Sequence, residues 1–285
     1  MIINEHLIDI IKYSPYYYNI VNCTNSTAES PEMLTDDAII KYKYDILDRR
    51  LPIEKIKHLY RNTPIKGQPE LTIFWSFDDI QRQMRVIAKK RKEYYGISFF
   101  DKCCMSHMPG ETNNPNKFMD RVIWLNNGRA LSFSSEIKND SELQEYYYWM
   151  CKFKPTWLDM ESNFVARLFV FLRTNCLAFP DSIKYIEVRT SYLSLKNENL
   201  DLSICEHDSI KIAHLISTDI IPATLFEIAP NNYNILEELV CVEKFDGKIY
   251  ISSKINHAFP IIRYPLSSSE TFINLTLGEE FIRAC

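Results

Sequence analysis

Hydrophobic positions recur along this chain with two different periods, and the change from one to the other divides it. Over the first third the spacing is helical. Leu7, Ile10 and Ile11 form one apolar stripe after Asn4, and a polar Asn/Ser/Thr segment over 22–31 interrupts it. Helical patterns resume over about 33–48 and 53–61, with Pro52 where a first helical turn tolerates proline. A stronger helix is predicted from Asp78 to Tyr95. Asp78 and Asp79 favour its start, Ile80, Met84 and Ile87 recur at helical spacing, and Gly96 stops it.

The period then shortens to two. YGISFFD (95–101) reads as a strand, followed by a polar loop to about residue 117. RVIWL, Asn126-Asn127-Gly128 and RALSFSSEIK read as two strands joined by a tight turn, because Asn-Gly supplies the positive φ such turns require. Ser141-x-x-Gln144 predicts a capped helix start with Leu143, Tyr147, Met150 and Cys151 on its apolar stripe. Pro155 breaks that helix. Thr156 and Asp159 open another, and Trp157, Met160, Phe164, Leu168, Phe169, Phe171 and Leu172 leave it so little polar face that it belongs in the core. IKYIEVR (183–189) is a strand, LVCVEKF, Asp246-Gly247 and KIYIS form a second hairpin, and a short segment near Glu279 to Arg283 closes the chain. The expected fold is α+β: a mostly helical N-terminal region (1–76) packed on a central mixed β-sheet with a buried helix (77–190), and a β-rich C-terminal extension (191–285).

Composition narrows the function classes. The chain has 285 residues, a formal charge of -4 and 46% hydrophobic residues, enough to bury a sizeable core. That charge excludes a protein that coats nucleic acid with its whole surface, while leaving room for a local basic patch. The first residues have no basic flank and carry Glu5 and Asp9, and the longest apolar run (164–172) is short and holds Arg167. A cytoplasmic protein with no membrane segment is expected. Eight cysteines in a chain of this size read as reduced thiols, with Cys151, Cys176 and Cys241 in apolar segments. Cys103-Cys104-x-x-His107 and Cys205-x-His207 lack the paired spacing of a structural zinc site. Walker A, GxGxxG and GxSxG motifs are absent. The clusters Tyr16-Tyr17-Tyr18 and Tyr146-Tyr147-Tyr148-Trp149 suit base stacking, or a division between core and a protein interface.

Two groups are candidates for chemistry. Lys89, Lys90, Arg91 and Lys92 end the strong helix, either as solvated cations complementing its dipole or as phosphate contacts. In the first hairpin, alternation sets Glu136 and Lys138 on one face, and the turn brings Asp120 level with them. Two carboxylates suit Mg²⁺ or Mn²⁺, and a neighbouring ammonium would orient an attacking water. A solvated hairpin with ordinary near-neighbour charges accounts for the same residues.

The order of elements over 78–189, with Asp120 and Glu136-x-Lys138, resembles the PD-(D/E)XK nuclease superfamily. The resemblance implies a metal-dependent phosphodiesterase acting on nucleic acid, with Asp120 and Glu136 holding the metal and Lys138 beside the water. It further implies a substrate contact from Gln144, with Tyr147 or Tyr148 nearby, and the basic run Lys89 to Lys92 would then supply the phosphate contacts. Met119 stands where that family has proline. Tyr42-Lys43-Tyr44, IWLNNGRALSF and KPTWLDMES also look like the layout of an uncharacterised bacterial family found near phage-defence genes. The alternative to the nuclease is a non-catalytic accessory protein that binds another protein.

Overall fold

The computed structural model describes residues 12–23, 34–61, 71–107, 122–191, 210–218 and 220–266. Among them are five α-helices: α1 (Pro15–Cys23), α2 (Asp36–Tyr42), α3 (Phe77–Tyr95), α4 (Asp140–Phe153) and α5 (Ser162–Thr174). The strands are β1 (Ile56–Arg61), β2 (Thr72–Ser76), β3 (Cys103–His107), β4 (Val122–Leu125), β5 (Ala130–Ser134), β6 (Trp157–Glu161), β7 (Tyr185–Ser191), β8 (Lys211–Ser217), β9 (Leu225–Ala229), β10 (Asn232–Ile235), β11 (Val240–Phe245), β12 (Lys248–Ser253) and β13 (Tyr264–Pro265). The fold is mixed α/β around a central mixed sheet. The chain divides into two compact units, one of Met1–Ile87, Ser217–Leu225 and Tyr233–Cys285, the other of Ala88–Ile216 and Phe226–Asn232.

In the first unit, β1 and β2 pair antiparallel, and β11, β12 and β13 form a second sheet. Segment 53–61, expected to be helical, is a short 3-10 turn followed by β1, because pairing with β2 supplies the hydrogen bonds that a helix would have made internally. Helix α3 starts at a reciprocal cap: Asp79 N–H donates to Ser76 Oγ and Ser76 N–H donates to Asp79 Oδ2. The same buried carboxylate accepts the backbone N–H groups of His257 and Ala258. Tyr17 is fully buried, donating its hydroxyl to Pro260 O at 2.8 Å and accepting from Ile262 N–H.

The second unit is built on strands β9, β8, β7, β6, β3, β5 and β4, in that spatial order. β3 runs parallel to both β5 and β6, β6 parallel to β7, and β4 antiparallel to β5. One face carries Cys104, Leu131, Phe133, Leu158, Met160, Ile186 and Val188 against the apolar sides of α4 and α5. Tyr146 of α4 lies between Phe133 and Phe164, with ring centroids 4.7 and 6.0 Å away.

Both hairpins form as the sequence predicts, β4 with β5 and β11 with β12. Asn127 and Gly128 take positive φ in the first turn, Asp246 and Gly247 in the second. Other expectations move. YGISFFD is not a strand: Gly96 ends α3 at φ +72° and the next strand begins at Cys103. The helix expected from Thr156 begins at Ser162, and WLDME before it is β6. A strand buried on both faces shows no alternation, so this short apolar run imitates the start of the helix that follows. The cap of α4 is Asn139, whose side chain accepts from Glu142 N–H, rather than Ser141. Cys176, although in an apolar segment, is exposed at φ +53°. The stripe at Leu7 to Ile11 and the closing segment near Glu279 lie outside the described residues.

Candidate functional site

In open α/β sheets, ligands gather where the strand order reverses, outside the carboxyl ends of the strands. Here the chain moves outward from β3 to β5 and then crosses back to β6 on the other side of β3. The reversal therefore lies at the carboxyl ends of β3 and β6, with β7 beside them. Register sets Asp159 of β6 opposite Glu187 of β7, and Glu161 opposite Arg189. Period-two alternation places all four on the face that α4 and α5 do not cover.

These residues form a charged cluster. Arg189 Nε lies 2.7 Å from Asp159 Oδ1, and Arg189 Nη2 donates to the Ser106 carbonyl at 2.5 Å and to Ser106 Oγ at 3.2 Å. Ser106 Oγ also accepts the Glu161 N–H at 2.8 Å. Burial opposes the Arg189 charge, but the carboxylates of Asp159 and Glu161 outweigh it and hold the guanidinium above its ordinary pKa. The Arg189 side chain is nevertheless 36% exposed, so a fixed cation reaches solvent at this edge. Helix α5 begins directly after Glu161 with no side-chain cap, leaving first-turn N–H groups at the same edge.

Deeper on that face, Arg91 of α3 holds Glu187 through two bonds, Nε to Oε2 at 2.9 Å and Nη2 to Oε1 at 2.6 Å. Tyr185 donates its hydroxyl to the same carboxylate, and the Arg91 guanidinium lies 3.9 Å from the Trp157 ring centroid. Tyr95 stacks on Tyr185 with ring centroids 4.6 Å apart. Burial, reinforced by Glu187, raises the Tyr185 pKa well above its usual value and keeps it a donor. Burial likewise raises the thiols of Cys103 and Cys104, which removes them as nucleophiles. On β8, His214 Nδ1 lies 2.6 Å from Glu227 Oε2.

Among the described residues, Arg91 is the sequence candidate that joins this cluster. Strand β5 ends at Ser134, so Glu136 and Lys138 stand exposed in the connection to α4, where Lys138 N–H donates to Glu142. Gln144 is exposed on α4, and Asp120 lies outside the described residues. The basic run is divided: Arg91 is 3% exposed and paired with Glu187, Lys90 lies 3.6 Å from Glu93, and Lys89 and Lys92 are exposed. Arg91 follows Ile87, and Ile87 follows Gln83, by one helical turn each, a spacing that marks its buried side. Asp159 reads in the sequence as a helix opener, and Glu187 and Arg189 as polar positions of a strand, so none of the three carries a signal of a charged cluster. Among the described residues no group of three or more His, Cys, Asp and Glu side chains is placed to hold a metal ion. No described helix is long and apolar enough to cross a membrane.

No protein-family model matches the chain, and no curated protein matches it by sequence. Solved structures do match. An open conformation of 2-hydroxyisobutyryl-CoA ligase, in complex with 2-HIB-AMP and CoA, superposes with a TM-score of 0.63 at 13% identity, over 92% of this chain and 66% of the ligase. The postadenylation state of that ligase with R3-HIB-AMP gives 0.63 at 12% identity, over 92% and 60%. The thioesterification state gives 0.60 at 13% identity, over 93% and 63%. The chain thus shares its fold with part of that CoA ligase, and it spans less than two thirds of the ligase's length.

This likeness overturns the PD-(D/E)XK resemblance and the nuclease, hydrolase and nucleic-acid readings that came with it. The similar structures are ligases that hold AMP-linked acids and CoA. The motif misled for a physical reason: it assumed that β5 continued through Lys138, whereas the strand stops at Ser134 and the next residues lead into α4.

Proposed function

We propose that this chain is an adenylating protein of the acyl-CoA ligase type, whose ligand is a carboxylic acid carried as its adenylate. The observation that carries the reading is the superposition of 92% of the chain, at a TM-score of 0.63, on a ligase captured with an acyl-AMP and CoA. The cluster at the carboxyl edge of β3, β6 and β7 supports it. Arg189, braced by Asp159 and Ser106, offers a half-buried cation, and the open start of α5 favours an anion. Both suit the single phosphate of an acyl-adenylate.

The residues do not fit a Mg²⁺-ATP site equally well. The chain has six glycines, no two within one short loop, so no glycine-rich loop is available to cradle a triphosphate. Asp159 is committed to Arg189, and among the described residues no carboxylate group is assembled for a metal. These residues therefore suit recognition of the adenylate rather than of a metal-bound triphosphate.

Thermal-shift measurements with a series of acylsulfamoyl adenosines, AMP and CoA test the reading, with ATP–pyrophosphate exchange run alongside. Stabilisation by an acylsulfamoyl adenosine beyond that given by AMP is expected. Exchange above background would extend the function to adenylate formation, and its absence would limit it to adenylate binding. No shift with any acylsulfamoyl adenosine, AMP or CoA would overturn the proposal.

A further inference from the structure

We propose that the amino-terminal edge of the second unit's sheet docks on an anionic lipid membrane. Five adjacent strands, β5, β3, β6, β7 and β8, each carry a cation at or just before their start: Arg129, Lys102, Lys154, Lys184 and Lys211. All five are exposed. Backbone bonds join these entries side by side: Cys103 N–H to Arg129 O, Thr156 N–H to Lys102 O, Lys184 N–H to Thr156 O and Lys211 N–H to Lys184 O. At the usual strand spacing the row runs about 19 Å. Among the described residues none of Arg129, Lys154, Lys184 and Lys211 is ion-paired. Lys102 Nζ reaches the Phe153 carbonyl at 3.4 Å and lies 5.2 Å from the Phe153 ring centroid.

An apolar tip rises from the same edge. The turn at 98–101, before β3, leaves Phe99 60% and Phe100 69% exposed, and Leu125, beside the first hairpin turn, is 37% exposed. The turn is held open by its own bonds. Ser98 N–H donates to Asp101 Oδ2 at 2.7 Å, Phe100 N–H to Ser98 Oγ and Asp101 N–H to Ser98 O. The two rings meet edge to face, 5.7 Å apart, and Arg129 lies 5.2 Å from the Phe100 ring centroid. Among the described residues, Asp101 is used in the turn, while Glu93 near the end of α3 and Asp181 are exposed acids.

An aromatic tip flanked by a line of exposed cations that carry no acidic partner among the described residues matches a soft, planar, anionic partner. Lipid headgroups rearrange to meet each cation, while the phenyl rings enter the boundary with the acyl chains. A rigid partner would have to match five charges on five strands and supply a pocket for a convex tip. The row lies at the opposite end of the strands from the Arg189 cluster, so docking leaves that edge free.

Flotation with phosphatidylcholine vesicles, and with vesicles of phosphatidylcholine and phosphatidylglycerol at about 7:3, tests the proposal on the full chain. Binding only to the anionic vesicles, weakened by salt, is expected. The pair Lys154→Gln and Lys184→Gln should bind about 30-fold more weakly, and Phe99→Ser with Phe100→Ser about tenfold or more. Lys41→Gln with Lys43→Gln, which removes the same charge from α2 and its C-cap in the other unit, should bind like the parent. Circular dichroism and thermal melts establish that each variant is folded. Failure of the parent to float, equal binding to neutral vesicles, or an equal loss in the Lys41 and Lys43 control would each overturn the proposal. So would capture by polyglutamate without capture by vesicles, which would identify an acidic polypeptide surface instead.

Discussion

Arg91 and Glu187 form an ion pair from which water is almost excluded, at 3% and 1% exposure, and a pair of this kind is expensive to break from one side. Arg91→Leu leaves the Glu187 carboxylate with Tyr185 as its remaining side-chain donor. A loss of about 3–5 kcal/mol in urea unfolding is expected. Replacing both residues with leucine should recover much of it, because no charge is then left buried; a single-variant loss under about 1 kcal/mol would contradict the assignment. Half of this pair was legible in the sequence. The i, i+4 spacing from Gln83 through Ile87 to Arg91 marks the buried side of α3, but no local pattern states that the group waiting there is an acid on β7. Arg189 and Asp159 show the same division. Alternation in IKYIEVR puts Tyr185, Glu187 and Arg189 on one face, and only the pairing of β6 with β7 supplies Asp159.

At the scale of elements, both hairpin turns were legible from local chemistry, whereas the Ser98–Asp101 turn lies in a segment that reads as a strand. Asp246 at φ +48° and Gly247 at φ +75° close the β11–β12 hairpin in the mirror-image turn that suits strand twist. A Cβ at Gly247 would meet nothing within 4 Å, so Gly247→Ala tests the backbone alone. The expected cost is about 1–2 kcal/mol in thermal or urea unfolding, and an unchanged stability would show that the turn relaxes into another type. Elements whose identity depends on distant partners were misread. β1 has a helical pattern until β2 is beside it, and β6 is a strand because β3 and β7 flank it. The same long-range dependence defeated the nuclease motif. Its spacing is local, whereas the fold is defined by a strand order in which β6 returns across β3.

The whole molecule carries a charge of -4, an average that conceals a strong local separation. In the second unit acids and arginines pair on the sheet face, while cations line the amino edge. Neutral acids buried in that sheet set its response to alkali. Cys103, Cys104 and Tyr185 all have pKa values raised by burial above the ordinary 9.0 of a thiol and 10.0 of a phenol. Above about pH 9 the unfolded chain therefore releases protons that the native state keeps, so stability falls as pH rises. Thermal midpoints should decline steadily from about pH 8 to 10.5, and Cys104→Ala should flatten part of the decline. A midpoint that does not change over that range would contradict the burial of these groups.

The central claim is that the carboxyl edge of β3, β6 and β7 recognises an acid joined to AMP, and calorimetric titration of the parent and of Arg189→Ala with an acylsulfamoyl adenosine tests it most directly. Saturable binding to the parent at one site, weakened about tenfold or more in a folded Arg189→Ala variant, is the predicted result. Equal binding by both proteins, or no heat from either across a series of acyl groups, would contradict it.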